Sequence, residues 1–282
     1  MREVLDAALR AEARGERAAL VTVVATEGST PQKAGARMLV YADGRIEGTI
    51  GGGCLEAEMT WRAREAIEGR RPKLVSYDLT PDQAGEDGLV CGGRMQVFIE
   101  PIEGTPVLCL FGAGHVAQPL ARMAKACGFR VELADDRVKF ANAERFPEAD
   151  LVVVDEFPAA AARMTLGPCS YAIVVTRGHK GDADALQAVL GRGLRFVGLL
   201  GSRPKVVHIF AALQGRGVSA LELAQVHAPL GLEIGAQTPD EIAVSILAEM
   251  IAVRRGVDPA QSRSMKMELP GRLGPGRSSD TA

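Results

Sequence analysis

Val107-Leu-Cys-Leu-Phe-Gly-Ala-Gly-His-Val-Ala117 is the stretch on which the fold turns. Five apolar residues without polar alternation predict a strand covered on both faces. Gly112-Ala113-Gly114 then breaks the run, and a helix is expected up to about Cys127. The pattern is G-x-G-x-x-A between strand and helix. Gly112 permits the tight turn, Gly114 lets a pyrophosphate approach the backbone, and Ala117 fills the third small position, where helix and strand pack closely. Amides at the helix start, aided by the helix dipole, favour phosphate, and His115 stands in the turn. Asp135 and Asp136 end the next strand about twenty residues on, where an acid can bind a ribose hydroxyl. A turn used only for packing is the alternative reading.

Working outward, residues 130–134, 151–154, 171–175 and 195–200 repeat the short apolar or β-branched run, mostly with helix-length segments between. Repeated β-α-β units of this kind predict a doubly wound parallel sheet. Ligands of such sheets bind outside the strand carboxyl ends. Two loops are expected there: Thr176-Arg177-Gly178-His179-Lys180-Gly181-Asp182, and Gly201-Ser202-Arg203-Pro204-Lys205. Both carry positive charge, and Arg203, after a small-residue turn, is the preferred phosphate ligand. Residues 239–255 read as a closing helix, capped by Thr238 and stopped by Gly256. Residues 257–282 are Pro-, Gly-, Ser- and Arg-rich without periodicity, and are expected to be a disordered tail.

Upstream the pattern changes. A short helix over 3–14, strands over 18–25, 38–41, 45–50, 73–77 and 94–100, and a helix over 56–69 predict a small α+β domain. Asp43-Gly44 suits a tight hairpin, and the polar stretch 80–93 reads as a loop. Gly51-Gly52-Gly53-Cys54 lies between strand and helix, where three glycines imply a backbone constraint or a close approach. Cys54 falls near a helix N-terminus, a position that favours thiolate. Cys91-Gly92-Gly93 opens the later strand. Cys54 and Cys91 facing each other across one rim would suit a soft metal or a sulfur-bearing ligand; the alternative is two small buried hydrophobes. Cys109 and Cys127 read as packing residues, and the four histidines lack metal-ligand spacing.

The composition narrows the function. Of 282 residues 47% are hydrophobic and 24% charged, and 33 basic against 35 acidic residues leave a net charge of -2. That balance excludes bulk nucleic acid or an anionic membrane as main partner. Aromatics at 4% argue against single-strand stacking platforms. The chain has no membrane-span run and no signal-peptide core, and its five cysteines include no C-x-x-C pair, so a reducing cytoplasm is the expected location.

Together these strings resemble the XdhC/CoxI family of accessory proteins for molybdenum hydroxylases. The matching pieces are Thr26-Glu-Gly-Ser-Thr-Pro31, Gly48-Thr-Ile-Gly-Gly-Gly-Cys-Leu-Glu56, Cys91-Gly-Gly93, Phe111-Gly-Ala-Gly-His115, Asp135-Asp-Arg137, Gly198-Leu-Leu-Gly-Ser-Arg203 and Pro229-Leu-Gly-Leu-Glu-Ile-Gly235. The resemblance implies an XdhC/CoxI domain over 1–103 and a Rossmann-like domain over 106–256. It implies a carrier that binds the molybdenum cofactor, as molybdopterin or its dinucleotide form. Such a carrier protects the cofactor during sulfuration by a cysteine desulfurase and inserts it into an apo-hydroxylase such as xanthine dehydrogenase, without turnover of its own. A homodimer is compatible with this. The cofactor-binding set is then Gly51, Gly52, Gly53, Cys54, Cys91, Gly112, Gly114, His115, Asp135 and Arg203, with Cys54 and Cys91 as metal ligands. The competing reading is an NAD(P)-dependent oxidoreductase using Gly112, Gly114 and Asp135.

Overall fold

In a computed structural model, which describes residues 2–79 and 92–261, two sheets follow one another along the chain. The first is antiparallel and five-stranded. It comprises β1 (Ala18–Glu27), β2 (Arg37–Tyr41), β3 (Ile46–Gly48), β4 (Lys73–Asp78) and β5 (Arg94–Ile102), in the order β3-β2-β1-β5-β4. Period-2 alternation sorts its side chains. Ala19, Val21, Val23, Met38, Val40, Met95, Val97 and Ile99 face helix α2 (Gly53–Gly69), meeting Leu55, Met59, Ala63 and Ala66. On the other face Ala18, Leu39 and Tyr41 meet Val4, Ala7, Ala8 and Ala11 of α1 (Arg2–Arg14). Since α1 covers only part of that face, Leu74 of β4 stays exposed.

Two boundaries depart from expectation. Strand β3 ends at Gly48 rather than at Ile50, because the chain turns there with φ 85°, close against Val4 and the Arg37 carbonyl. Helix α2 starts at Gly53 rather than at Glu56, so Cys54 lies inside its first turn. Most of the expected loop, residues 80–91, falls outside the described residues.

The second sheet is wholly parallel. Its strands are β6 (Val107–Phe111), β7 (Arg130–Asp135), β8 (Leu151–Val154), β9 (Ser170–Val174), β10 (Phe196–Leu199) and β11 (Val226–His227), in the order β11-β10-β9-β6-β7-β8. This is the doubly wound Rossmann arrangement, whose order reverses between β6 and β9. Helices α3 (Ala117–Ala126) and α8 (Pro239–Arg254) cover one face, packing Leu120, Ala121, Ile246 and Met250 on Leu108, Leu110 and Ile173. Helices α4 (Phe157–Ala161), α5 (His179–Val189) and α6 (Arg203–Gly215) cover the other, against Cys109, Phe111, Ala172 and Val174. Strand β11, absent from the sequence-based expectation, follows the short helix α7 (Ala220–Leu223). Thr238 caps α8 in a reciprocal pair with Glu241, as its position before Pro239 implied. Past α8, Pro259–Gln261 form a 3-10 turn inside the stretch expected to be disordered; residues 262–282 lie outside the described residues. Cys109 is buried as expected, whereas Cys127 caps α3 and is exposed.

The two sheets meet end to end. Gly104 lies against Gly15 so closely that a Cβ on it would stand 2.4 Å from the Gly15 Cα. Arg17, which precedes β1, and Arg70, which follows α2, stand beside Pro106, Gly128, Cys169 and Arg195, which precede β6, β7, β9 and β10. The antiparallel unit therefore docks on the amino edge of the parallel sheet.

Candidate functional site

The front glycines form a rim at the end of the antiparallel unit remote from that junction. Gly92 and Gly93 run beside Gly28, and a Cβ on Gly93 would stand 2.5 Å from the carbonyl oxygens of Glu27 and Ser29. Pro31 presses on Gly51, where a Cβ would lie 2.6 Å from the ring. Three separate glycine-bearing strings are thus packed together because only bare backbone fits. Gly52 is the N-cap of α2, supplies no side-chain cap and has open space before it. Cys54 is exposed in the first turn of α2, near Tyr77, whose phenol burial raises above its ordinary pKa with help from the Cys54 and Glu58 charges. Cys91, expected to face Cys54, lies outside the described residues.

Glu56 organises this rim and was not singled out from the sequence. Its Oε1 accepts the Thr49 hydroxyl and the amides of Ile50 at 3.0 Å and Gly52 at 2.9 Å. Burial alone would raise its pKa, but the Thr49 hydroxyl and the Gly52, Ile50 and Gly51 amides outweigh it and leave the carboxyl below its usual range. Amides that could otherwise cradle an anion are thus occupied by the protein's own carboxylate. An acidic residue within a helix's first turn was the available signal.

At the other end of the molecule, Gly112 turns with φ 110°, and a Cβ there would stand 2.6 Å from the Val175 carbonyl oxygen. Gly114 meets nothing within 4 Å, so its face is open. His115 is exposed and Ala117 buried. Asp135 is not poised toward a ribose as expected. It is buried, Oδ2 accepts the Ala113 amide at 2.8 Å, and Oδ1 accepts the Arg137 amide at 3.0 Å and Nε at 2.8 Å. Arg137 Nη2 adds a bond to Oδ2 at 2.9 Å, and the guanidinium stacks on Phe140. Burial would raise the Asp135 pKa, but Arg137 and the two amides lower it on balance. A buried carboxylate must be paired, and this one clamps the glycine turn to β7.

Beside that turn a crevice of about 510 Å³ opens at the carboxyl edge of the sheet. Asp136, Phe157, Arg177, His179 and Lys180 line it, together with Asp135. The Thr176 hydroxyl binds Asp182 at 2.8 Å and so shapes its floor. Arg203 does not reach it. It is exposed at the start of α6, with no hydrogen bond or ion pair to the described residues, while Lys205 is folded onto buried Asp182 at 2.7 Å.

The two mouths open in opposite directions. Helix α2, with 17 residues, separates Cys54 from the junction by about 25 Å at 1.5 Å per residue. Gly112 stands about 16 Å beyond the junction, at the far end of five-residue β6. The sequence-based picture of thiols and phosphate-binding amides around one cleft therefore does not hold within a single chain.

A Rossmann sheet preceded by a glycine-rimmed antiparallel unit defines a two-part α/β protein with an exposed thiol in one unit and a crevice at the carboxyl edge of the sheet in the other. Residues 108–250 match the XdhC Rossmann domain, and residues 11–78 match the XdhC and CoxI family. The chain belongs to the XdhC and CoxI family.

Among its relatives, the uncharacterized protein YqeB of Escherichia coli is 38% identical over 237 residues, 84% of this chain and 43% of YqeB, so the chain spans less than half of that relative. A probable xanthine dehydrogenase subunit from Bacillus subtilis is 27% identical over 90% of this chain and 97% of its own length. The molybdenum cofactor insertion chaperone PaoD of Escherichia coli is 26% identical over 90% of this chain and 88% of its own. No helix among the described residues is long and apolar enough to cross a membrane.

Proposed function

We propose that this chain carries the molybdenum cofactor as cargo, shields it during sulfuration by a cysteine desulfurase, and delivers it to an apo molybdenum hydroxylase. The observation that carries the reading is the rim: an exposed thiol, Cys54, in a glycine-walled notch held open by Glu56. Thiolate is a soft donor suited to a sulfur-bound metal, and a single protein ligand holds cargo reversibly. Family membership and the name of PaoD point to the same cargo. Residues 1–103 and 106–256 act as two domains, the first taking the metal end and the second, at Gly114 and the crevice, the phosphate end. Because the mouths face apart, a homodimer with one copy's rim against the other's crevice reunites them. The NAD(P) alternative is weakened at Asp135, which is committed to Arg137 and Ala113, and would have to use Asp136 on the crevice wall.

The test is pterin content of the purified chain and activation of an apo-hydroxylase. Wild type is expected to hold about one cofactor per chain, and Cys54→Ser to lose at least about tenfold in affinity. Co-expressed Cys54→Ser and Gly114→Val chains should regain about a quarter of wild-type capacity, because half the dimers then keep one intact composite site of two. Full binding by both Cys54→Ser and Cys91→Ser refutes the thiol role. Saturable NAD(P)+ binding, with its reduction to NAD(P)H as substrate is oxidised, supports the oxidoreductase instead.

A further inference from the structure

We infer that the junction between the two sheets is a binding site for a phosphate-type dianion, separate from both mouths and independent of the cargo reading. A cavity of about 210 Å³ lies there, and four arginines, Arg17, Arg70, Arg195 and Arg254, stand around it with only two acids, Glu12 and Glu103. Two come from each side of the junction, so a bound anion touches both sheets' units.

The arginines are held in place mostly by carbonyls, and a single carboxylate, Glu103, is shared by two of them. Arg17 Nη2 donates to the Ile67 carbonyl at 2.8 Å, and Arg254 Nη1 to the Cys127 carbonyl at 3.0 Å. Arg195 Nη2 donates to the carbonyls of Val253 at 3.2 Å and Arg254 at 3.1 Å. A carbonyl fixes a guanidinium but removes no charge, and each guanidinium carries five donors. One carboxylate oxygen, Glu103 Oε1, stands between Arg70 Nε at 3.4 Å and Arg195 Nη1 at 3.6 Å, both longer than a good hydrogen bond. The Arg195 side chain is only 8% exposed, and its Nη1 is buried with no hydrogen-bond acceptor. A buried donor left so costs stability, and an oxyanion oxygen in the cavity would satisfy it.

The backbone adds a second sign. Arg70 is the one non-glycine residue with positive φ among those described, at 51°, in the C-cap position of α2 that glycine usually takes. Keeping an arginine in that strained conformation, with its guanidinium on the cavity wall, is explained by what the guanidinium binds. Size and charge narrow the ligand. The cavity, at about 210 Å³, has room for phosphate or a small phosphate monoester. The net excess of two positive charges matches such a dianion.

Calorimetric titration of the full chain in chloride buffer of constant ionic strength tests this, with inorganic phosphate and glycerol 3-phosphate as probes. One saturable site per chain is expected, together with a rise in melting temperature that chloride does not produce; the tighter probe identifies free or esterified phosphate as the ligand. Arg195 is too deeply buried for its loss to spare folding, so Arg70→Gln and Arg17→Gln, both nearer the surface, carry the test: each should weaken binding at least about tenfold. No saturable binding up to about 10 mM overturns the inference. So does binding that survives in both variants but is lost in Arg177→Gln, which locates the anion in the carboxyl-edge crevice.

Discussion

Removing the Glu56 carboxylate should collapse the rim while leaving the Rossmann sheet intact. Glu56→Ala leaves the Ile50 and Gly52 amides without their acceptor. Net values of about 1 kcal/mol per hydrogen bond, reduced for partial exposure, predict a loss of about 1–2 kcal/mol. Confined to a unit of about a hundred residues, this corresponds to a fall in its melting midpoint of roughly 5–10 °C. Glu56→Gln keeps an acceptor without charge and should fall between. The sign with pH follows from the lowered pKa: the contribution is full above the ordinary carboxylate range and is lost as pH falls through the lower folded value. The assay is thermal melting with amide hydrogen exchange, reading Ile50 and Gly52 separately from β6 and β9. Unchanged exchange at those amides in Glu56→Ala refutes the account of how the rim is held.

The two glycines of the Rossmann turn should separate cleanly. Gly112→Ala adds a Cβ 2.6 Å from a backbone oxygen at positive φ and should cost about 3 kcal/mol in urea unfolding; Gly114→Ala, facing open space, should change stability by less than about 0.5 kcal/mol. Gly114→Val should preserve the melt yet lower cofactor affinity, read by pterin retention. Asp135→Asn takes from Arg137 its nearer carboxylate and leaves Asp136 at 3.6 Å, so it should destabilise by about 1–3 kcal/mol at neutral pH, less than for a fully buried pair because Arg137 is 24% exposed. Since the Asp135 pKa is lowered in the fold, the gap between wild type and variant should close as the buffer is acidified through the folded value, measured as urea midpoints against pH.

Much of the fold was legible because its signals are local. Residues 107–111 and 171–175 are apolar without alternation, the mark of strands buried on both faces, whereas 130–134 carries Arg130 and Glu132 and is recognised by its place in the β-α-β order. The strand–turn–helix grammar around Gly112 needs no distant contact to be recognised. Element edges were less legible where a tertiary contact set them. The close fit of Gly48 to Val4 ends β3, and Glu56 draws the chain round so that α2 begins at Gly53. Strand β11 is two residues long and exists through its pairing with β10.

The amino-acid sequence by itself determined the two architectures, their order and the positions of the glycine turns, since periodicity and turn residues act over a few neighbours. Tertiary structure alone decided how those turns are used. Asp135 bonds inward because burial demands a partner, and Arg137 supplies it. Arg17, Arg70, Arg195 and Arg254, far apart in the chain, become neighbours only when the antiparallel unit docks on the amino edge of the parallel sheet. That docking, fixed by the contact of Gly104 with Gly15, also turns the Cys54 rim and the Gly112 turn away from each other. Short-range pattern carries no information about which end of one sheet meets which end of the next.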